Sequence, residues 1–174
     1  RRVLFRSGHF QTRNRGTVCG SIAHADPSSE LPLALAMLDG EVVLRSARGQ
    51  RVLKASQFQV GMLSTAREAD ELIVAVRFSM RKGRAAFREV ARRHGDFAIV
   101  SIAGLSLGEG RIRIGIGGAH GAPFVRDISA QASRDDINDL AWQVEPYEDM
   151  HASPRMRRDL VRNLAPEVIA EIGA

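Results

Sequence analysis

The stretch Thr17-Val18-Cys19-Gly20-Ser21-Ile22-Ala23-His24-Ala25-Asp26-Pro27-Ser28-Ser29-Glu30-Leu31-Pro32 decides how the rest of the chain is read. Small residues at Cys19, Gly20, Ser21, Ala23 and Ala25 let backbone come close to a ligand, and Thr17 and Ser21 add hydroxyl groups. Asp26 or Ser28 can cap a helix, Pro27 suits its first position, and Glu30 favours the positive end of the helix dipole. The apolar run over residues 31–38 continues that helix, and Asp39-Gly40 ends it. Free N–H groups at such a helix start make a seat for a phosphorylated or polyhydroxylated cofactor. The same residues also suit a plain loop ahead of a helix. On chemistry alone both readings stand.

Working outward, residues 41–48 and 51–54 are two β-rich runs around Arg48-Gly49-Gln50 and predict a hairpin. A loop or short helix follows to Thr65. Residues 72–78 then predict a strand whose run Leu72, Ile73, Val74, Ala75 and Val76 is apolar on both faces, as in a covered strand. Residues 79–84, with Arg81, Lys82, Gly83 and Arg84, read as a solvated connector between two units. Residues 97–103 and 111–116 predict two strands joined at Gly108-Glu109-Gly110. The second alternates, with Ile112, Ile114 and Ile116 on one face and Arg111 and Arg113 on the other. Residues 115–121 read as a tight turn. Ser133 caps a helix with Asp135 and Asp136 in its first turn and an apolar stripe of Ile137, Leu140, Ala141 and Val144. Ser153-Pro154 opens a last helix with Met156, Leu160, Val161 and Leu164 inward. Pro166 kinks or restarts it, and Val168, Ile169 and Ile172 continue its buried face.

Composition narrows the function classes. The chain has 174 residues, enough for one domain or two small ones, and 44% of them are hydrophobic. No apolar run approaches the roughly 20 residues of a membrane span, which argues against membrane insertion. The single cysteine, Cys19, excludes an internal disulfide framework and any all-cysteine cluster. The net charge of +5 sits at one end: residues 1–16 hold five arginines and no acid, and the remaining 20 Lys and Arg are matched by 20 Asp and Glu. With 5% aromatic residues, a nucleic-acid-binding module resting on that basic end is a poor fit. Residues 1–7 are too short and too charged for a signal peptide, and we read them as a non-native remnant of a cytoplasmic protein. Cys19, His24 and Asp26 lack a spaced fourth metal ligand, and no nucleophile elbow is present.

A resemblance adds to this reading. Residues 17–32 closely resemble the flavin-contacting stretch of the FAD-binding medium subunit of molybdenum hydroxylases, the carbon monoxide dehydrogenase and xanthine dehydrogenase family. Residues 86–100 resemble the segment that opens that subunit's C-terminal domain, and residues 149–158 resemble the entry to its last helix. Cys19 departs from the first glycine of the family's usual pair.

The resemblance implies an α+β protein. Residues 8–80 would be the C-terminal part of an FAD-binding lobe built on a mixed sheet with helices. Residues 84–172 would be a C-terminal domain of three-stranded antiparallel sheet covered by helices. The family's first lobe, with its glycine-rich loop, is missing from these motifs, so an N-terminally truncated subunit is expected. The implied cofactor is FAD, held by Thr17, Val18, Cys19, Gly20, Ser21, His24, Glu30, Ile73 and Arg88. Arg88 stands where the family has a Lys near the flavin, and His24 is a structural residue rather than an acid–base catalyst. Molybdopterin and [2Fe-2S] clusters would lie on partners, a large and a small subunit of a heterotrimer. The implied role is electron transfer from iron–sulfur clusters through FAD to an external acceptor, with no catalytic residue and no metal in this chain. A non-catalytic assembly subunit is the alternative.

Overall fold

A computed structural model describes residues 14–93 and 95–173; residues 1–7 lie outside the described residues. Helix α1 (Val18–His24) starts at Thr17, whose side chain caps it. Helix α2 (Glu30–Met37) follows, then the hairpin β1 (Glu41–Ser46) and β2 (Gly49–Lys54). A single turn α3 (Ala55–Phe58) leads into the short pair β3 (Gln59–Gly61) and β4 (Ser64–Thr65). Strand β5 (Leu72–Arg77) returns to pair with β1, giving the order β2-β1-β5. Every pairing in it is antiparallel, so the expected mixed sheet is corrected. The hairpin forms as the turn chemistry predicts.

The second sheet is a meander of β6 (Ala85–Ala91), β7 (Ala98–Gly108), β8 (Arg111–Gly117) and β9 (Phe124–Ser129). It has four strands where three are expected. Arg88 and Glu89 interrupt β6, and Arg126 and Asp127 interrupt β9, so neither flanking strand shows a continuous apolar pattern. The α+β class holds.

Helices α4 (Arg134–Gln143) and α5 (Pro154–Gly173) cover one face of this sheet. Ile112, Ile114 and Ile116 point to that side and are at most 1% exposed, joined there by Ala141, Val161 and Val168. Ser133 caps α4 through a reciprocal pair with Asp136, as the sequence predicts. Pro166 sits within α5 without ending it, because the apolar stripe runs on through Val168, Ile169 and Ile172. Met156 is exposed instead of inward, and Arg157 takes the buried position.

The opposite face of the same sheet receives α2. Leu33 and Met37 pack with Leu105 and the half-buried Phe87, Ala103 and Val125. A Cβ on Gly115 would stand 2.4 Å from Met37 Sδ, so the missing side chain sets how closely helix and sheet approach. β5 departs from its expectation as a covered strand. It is an edge strand, with Leu72 72% and Val74 47% exposed.

Candidate functional site

The Thr17–Ser21 stretch is helical in its own right, where the sequence suggests a loop ahead of a single helix. Thr17 Oγ1 accepts from Gly20 N at 2.9 Å and Thr17 O from Ser21 N at 3.0 Å. Val18 and Cys19 are the first two residues of α1. Gly20 is exposed, and a Cβ there would sit 2.9 Å from the Thr17 hydroxyl. Val18 is exposed, Cys19 is half-buried with a free thiol, and His24 is exposed in the last turn. α1 is seated on the first sheet through Ile22, which shares an apolar cluster with Ile73 of β5 and Phe58. Ile73 is therefore beneath the stretch, facing the core.

The turn between α1 and α2 is tightly specified. Ala25, at φ 53, carries the left-handed end of α1, and its carbonyl accepts from Leu63 N at 3.1 Å and from the buried Gln59 Nε2 at 2.8 Å. Asp26 Oδ1 accepts from Ser28 N at 2.8 Å, and Asp26 O from Ser29 N at 3.0 Å. Asp26 therefore caps a turn rather than the helix, which begins three residues beyond Pro27 at Glu30 with Ser29 as its cap residue. The hydroxyls of Ser21 and the buried Ser29 lie 3.2 Å apart and tie the two helices together. Pro27 O accepts from Gly118 N at 2.7 Å, which fixes the turn to the second sheet.

Arg88 is not brought into this group. It lies on β6 between Ala86 and Val90, which face α5, and pairs with Glu171 at 2.6 Å and Glu167 at 3.5 Å. Its neighbour Phe87 faces α2. Alternation along the strand thus puts Arg88 on the far side of the sheet from the α2 lobe.

Two hollows adjoin the site. A groove of about 510 Å³ runs between α2 and β9, with Asp39, Arg113 and Asp127 at one end. Arg113 bonds Asp39 and, at 2.7 Å, Asp127. The Arg113 guanidinium, opposed by burial, holds the Asp127 carboxyl below its ordinary range. A second hollow of about 300 Å³ opens beside Ser28 and is walled by Arg92, Asp96, Asp149, His151 and Arg157. Sequence reasoning did not single out Gln59, Gly118 or Arg157. Gln59 and Gly118 act through distant backbone atoms, a pattern with no local signature. Among the described residues, no three or more His, Cys, Asp or Glu side chains are grouped to hold a metal, and no helix is long and apolar enough to cross a membrane.

Residues 1–79 match the family model described as FAD binding domain in molybdopterin dehydrogenase. The nicotine 6-hydroxylase medium subunit of Paenarthrobacter nicotinovorans is 36% identical over 180 aligned residues, covering 95% of this chain and 64% of that protein. The glyceraldehyde dehydrogenase medium chain of Sulfolobus acidocaldarius is 31% identical over the same span, with the same coverage. The crystal structure of quinoline 2-oxidoreductase from Pseudomonas putida 86 superposes with a TM-score of 0.82 at 30% identity, covering 96% of this chain and 64% of that one. The chain thus spans under two thirds of the length of the relatives it matches.

Proposed function

We propose that the chain is the FAD-binding electron-transfer subunit of a molybdenum hydroxylase, because residues 1–79 match the model of the FAD binding domain in molybdopterin dehydrogenase and 95% of the chain aligns with medium subunits of oxidising enzymes. The observation that carries the reading is the family match over residues 1–79, which takes in the whole stretch of residues 17–30. Within that stretch Thr17 caps α1 and Gly20 is exposed, and hydroxyls among small residues suit a polyhydroxylated, phosphorylated cofactor. We assign residues 8–80 to the FAD-binding domain and 84–172 to a C-terminal domain of the same subunit.

Flavin, when bound, supplies the exchange between single-electron donors and two-electron acceptors. The chain's own residues bind and orient. Thr17 and Ser21 offer hydroxyls and Val18 and Cys19 offer N–H groups. His24 closes the same helix, and Glu30, at the first position of α2, would accept from cofactor hydroxyls. Ile73 supports α1 from below through Ile22. Arg88 is left out, since Glu167 and Glu171 hold it on the far face. Electrons would come from iron–sulfur clusters on a small subunit, with molybdopterin on a large one, and leave to an external acceptor. We place this heterotrimer in the cytoplasm, where a free thiol such as Cys19 stays reduced.

Titration of the chain with FAD, read by quenching of flavin fluorescence, tests the proposal. Saturable binding of FAD in preference to FMN is expected, weakened by about tenfold or more in Gly20→Trp, a loss of about 1.4 kcal/mol or more. An unchanged affinity in Gly20→Trp, or a chain that ignores FAD and binds a short DNA duplex in a salt-dependent way, would overturn it.

A further inference from the structure

Arg157 is the largest fully buried side chain among the described residues, 1% exposed. Its Nη1 donates to Ile99 O and to Gly118 O, both at 2.6 Å, and its Nη2 pairs with Asp149 Oδ2 at 2.6 Å. The guanidinium lies 4.3 Å from the centre of the Tyr147 ring. Asp149 is itself fixed, its Oδ1 accepting from His151 N and Ala152 N at 2.9 Å each. Burial raises the Asp149 carboxyl's affinity for a proton, but those two amides and Arg157 outweigh it and hold the group charged.

The pair is buried on the arginine side only, since the Asp149 side chain is 31% exposed. Desolvation of the guanidinium offsets much of the attraction, so an apolar side chain of equal volume would serve the core as well. What the guanidinium does that an apolar side chain cannot is hold two distant backbone carbonyls, of Ile99 in β7 and of Gly118 just beyond β8, while it pairs with a carboxylate. Gly118 sits at φ +76, and a Cβ on it would lie 2.6 Å from Ile99 O, so only glycine brings the two carbonyls together under Arg157. The N–H of the same Gly118 donates to Pro27 O at 2.7 Å. From Pro27 the connection is short: Ser28 and Ser29 are pinned by Asp26, and Ser29 meets the Ser21 hydroxyl of α1.

We infer that Arg157 is a positioning residue for the cofactor stretch: anchored by Asp149, it orients Gly118, which sets the Pro27–Ser29 turn and with it the spacing of α1 and α2. The inference rests on the FAD reading for its functional consequence but not for its geometry. Ser28 and Arg157 also line the same hollow of about 300 Å³, so the turn and its anchor face one space.

The test compares Arg157→Lys with Val168→Ala, a core change about three turns further along α5 that leaves the relay untouched. Both are measured well below their melting temperatures. Lysine keeps the charge but cannot fork to two carbonyls and a carboxylate. Arg157→Lys is expected to weaken FAD binding by about tenfold and to speed amide exchange at Gly118 and Ser29, while Val168→Ala does neither. Asp149→Asn, which loosens the anchor and keeps the guanidinium, should move both readouts in the same direction by less. Wild-type affinity in Arg157→Lys, or an equal loss in Val168→Ala, would overturn the inference. If the unmodified chain binds no FAD, the FAD reading fails, and amide exchange at Gly118 still decides the relay: an unchanged rate in both Arg157→Lys and Asp149→Asn sinks it.

Discussion

At the residue scale, the ion pair of Arg51 and Glu71 shows how a charge is held inside the first lobe. Glu71 is 5% exposed and receives both Arg51 Nε at 2.6 Å and Nη2 at 2.7 Å, with Glu68 N donating at 2.8 Å. The Arg51 hydrogen bonds, helped by the Glu68 amide, lower its pKa from about 4.5 to about 2. A folded-state pKa below the unfolded one gives stability that is present above the unfolded value and lost as pH falls through the folded one. The stability difference between wild type and Glu71→Gln in urea titrations should therefore be constant above pH 4.5, shrink below it and vanish near pH 2. A difference that persists unchanged at pH 2 would refute the pairing. None of this was visible in the chain order, because Arg51 and Glu71 sit on segments 20 residues apart. The same limit applies to the site. Thr17, Gly20 and Ser21 could be grouped from sequence alone because they are neighbours in it. Arg88 stands apart from them, because strand alternation puts its side chain on the face of β6 that meets Glu167 and Glu171.

At the element scale, what could be read depended on how completely an element declares itself. α4 carries a reciprocal cap and an apolar stripe, and the sequence reading found it. α1 has seven residues, a glycine near its start and one buried side chain, so no helical period shows. β5 presents an unbroken apolar run because Ile73 and Val76 face the core, while Leu72 and Val74 point outward on an edge; periodicity alone cannot distinguish that from burial on both sides. The packing of α2 on the second sheet leads to a direct test. A side chain at Gly115 would meet Met37 Sδ at 2.4 Å and Leu33 Cδ1 at 2.9 Å. Gly115→Val should cost about 1–3 kcal/mol by overpacking, read from urea unfolding. Gly173→Ala, with nothing within 4 Å of the added carbon, should stay within about 0.5 kcal/mol. Equal effects of the two would mean that α2 is not seated as described.

At the scale of the whole molecule, the two sheets are joined by a shared apolar seam, a charged latch and the Gly118–Pro27 bond. The seam is Leu33 and Met37 against Leu105 and Phe87. The latch is Arg113, its side chain 14% exposed, between Asp39 and Asp127. Such joints make the halves unfold together, since neither buries its facing surface alone. The chain carries a natural probe in each half. Trp142 is its one tryptophan and Cys19 its one cysteine; the first sits on α4, 4.6 Å from the Arg158 guanidinium, and the second on α1. In a urea titration, Trp142 fluorescence and Cys19 labelling should report the same midpoint. The double variant Met37→Ala/Arg113→Ala removes part of the seam and the cation shared across the joint, leaving Asp39 paired with Arg81 and Asp127 with Arg111. Loss of a buried methionine costs about 2–5 kcal/mol and urea slopes for small proteins are about 1–3 kcal/mol per molar. The midpoints should then part by about 1 M, with Cys19 exposed first, because the first lobe has the smaller apolar cluster. Midpoints that differ in the wild type would show that the joint does not couple the halves, and midpoints that stay together in the variant would place the coupling in the Gly118–Pro27 bond and its anchor on Arg157.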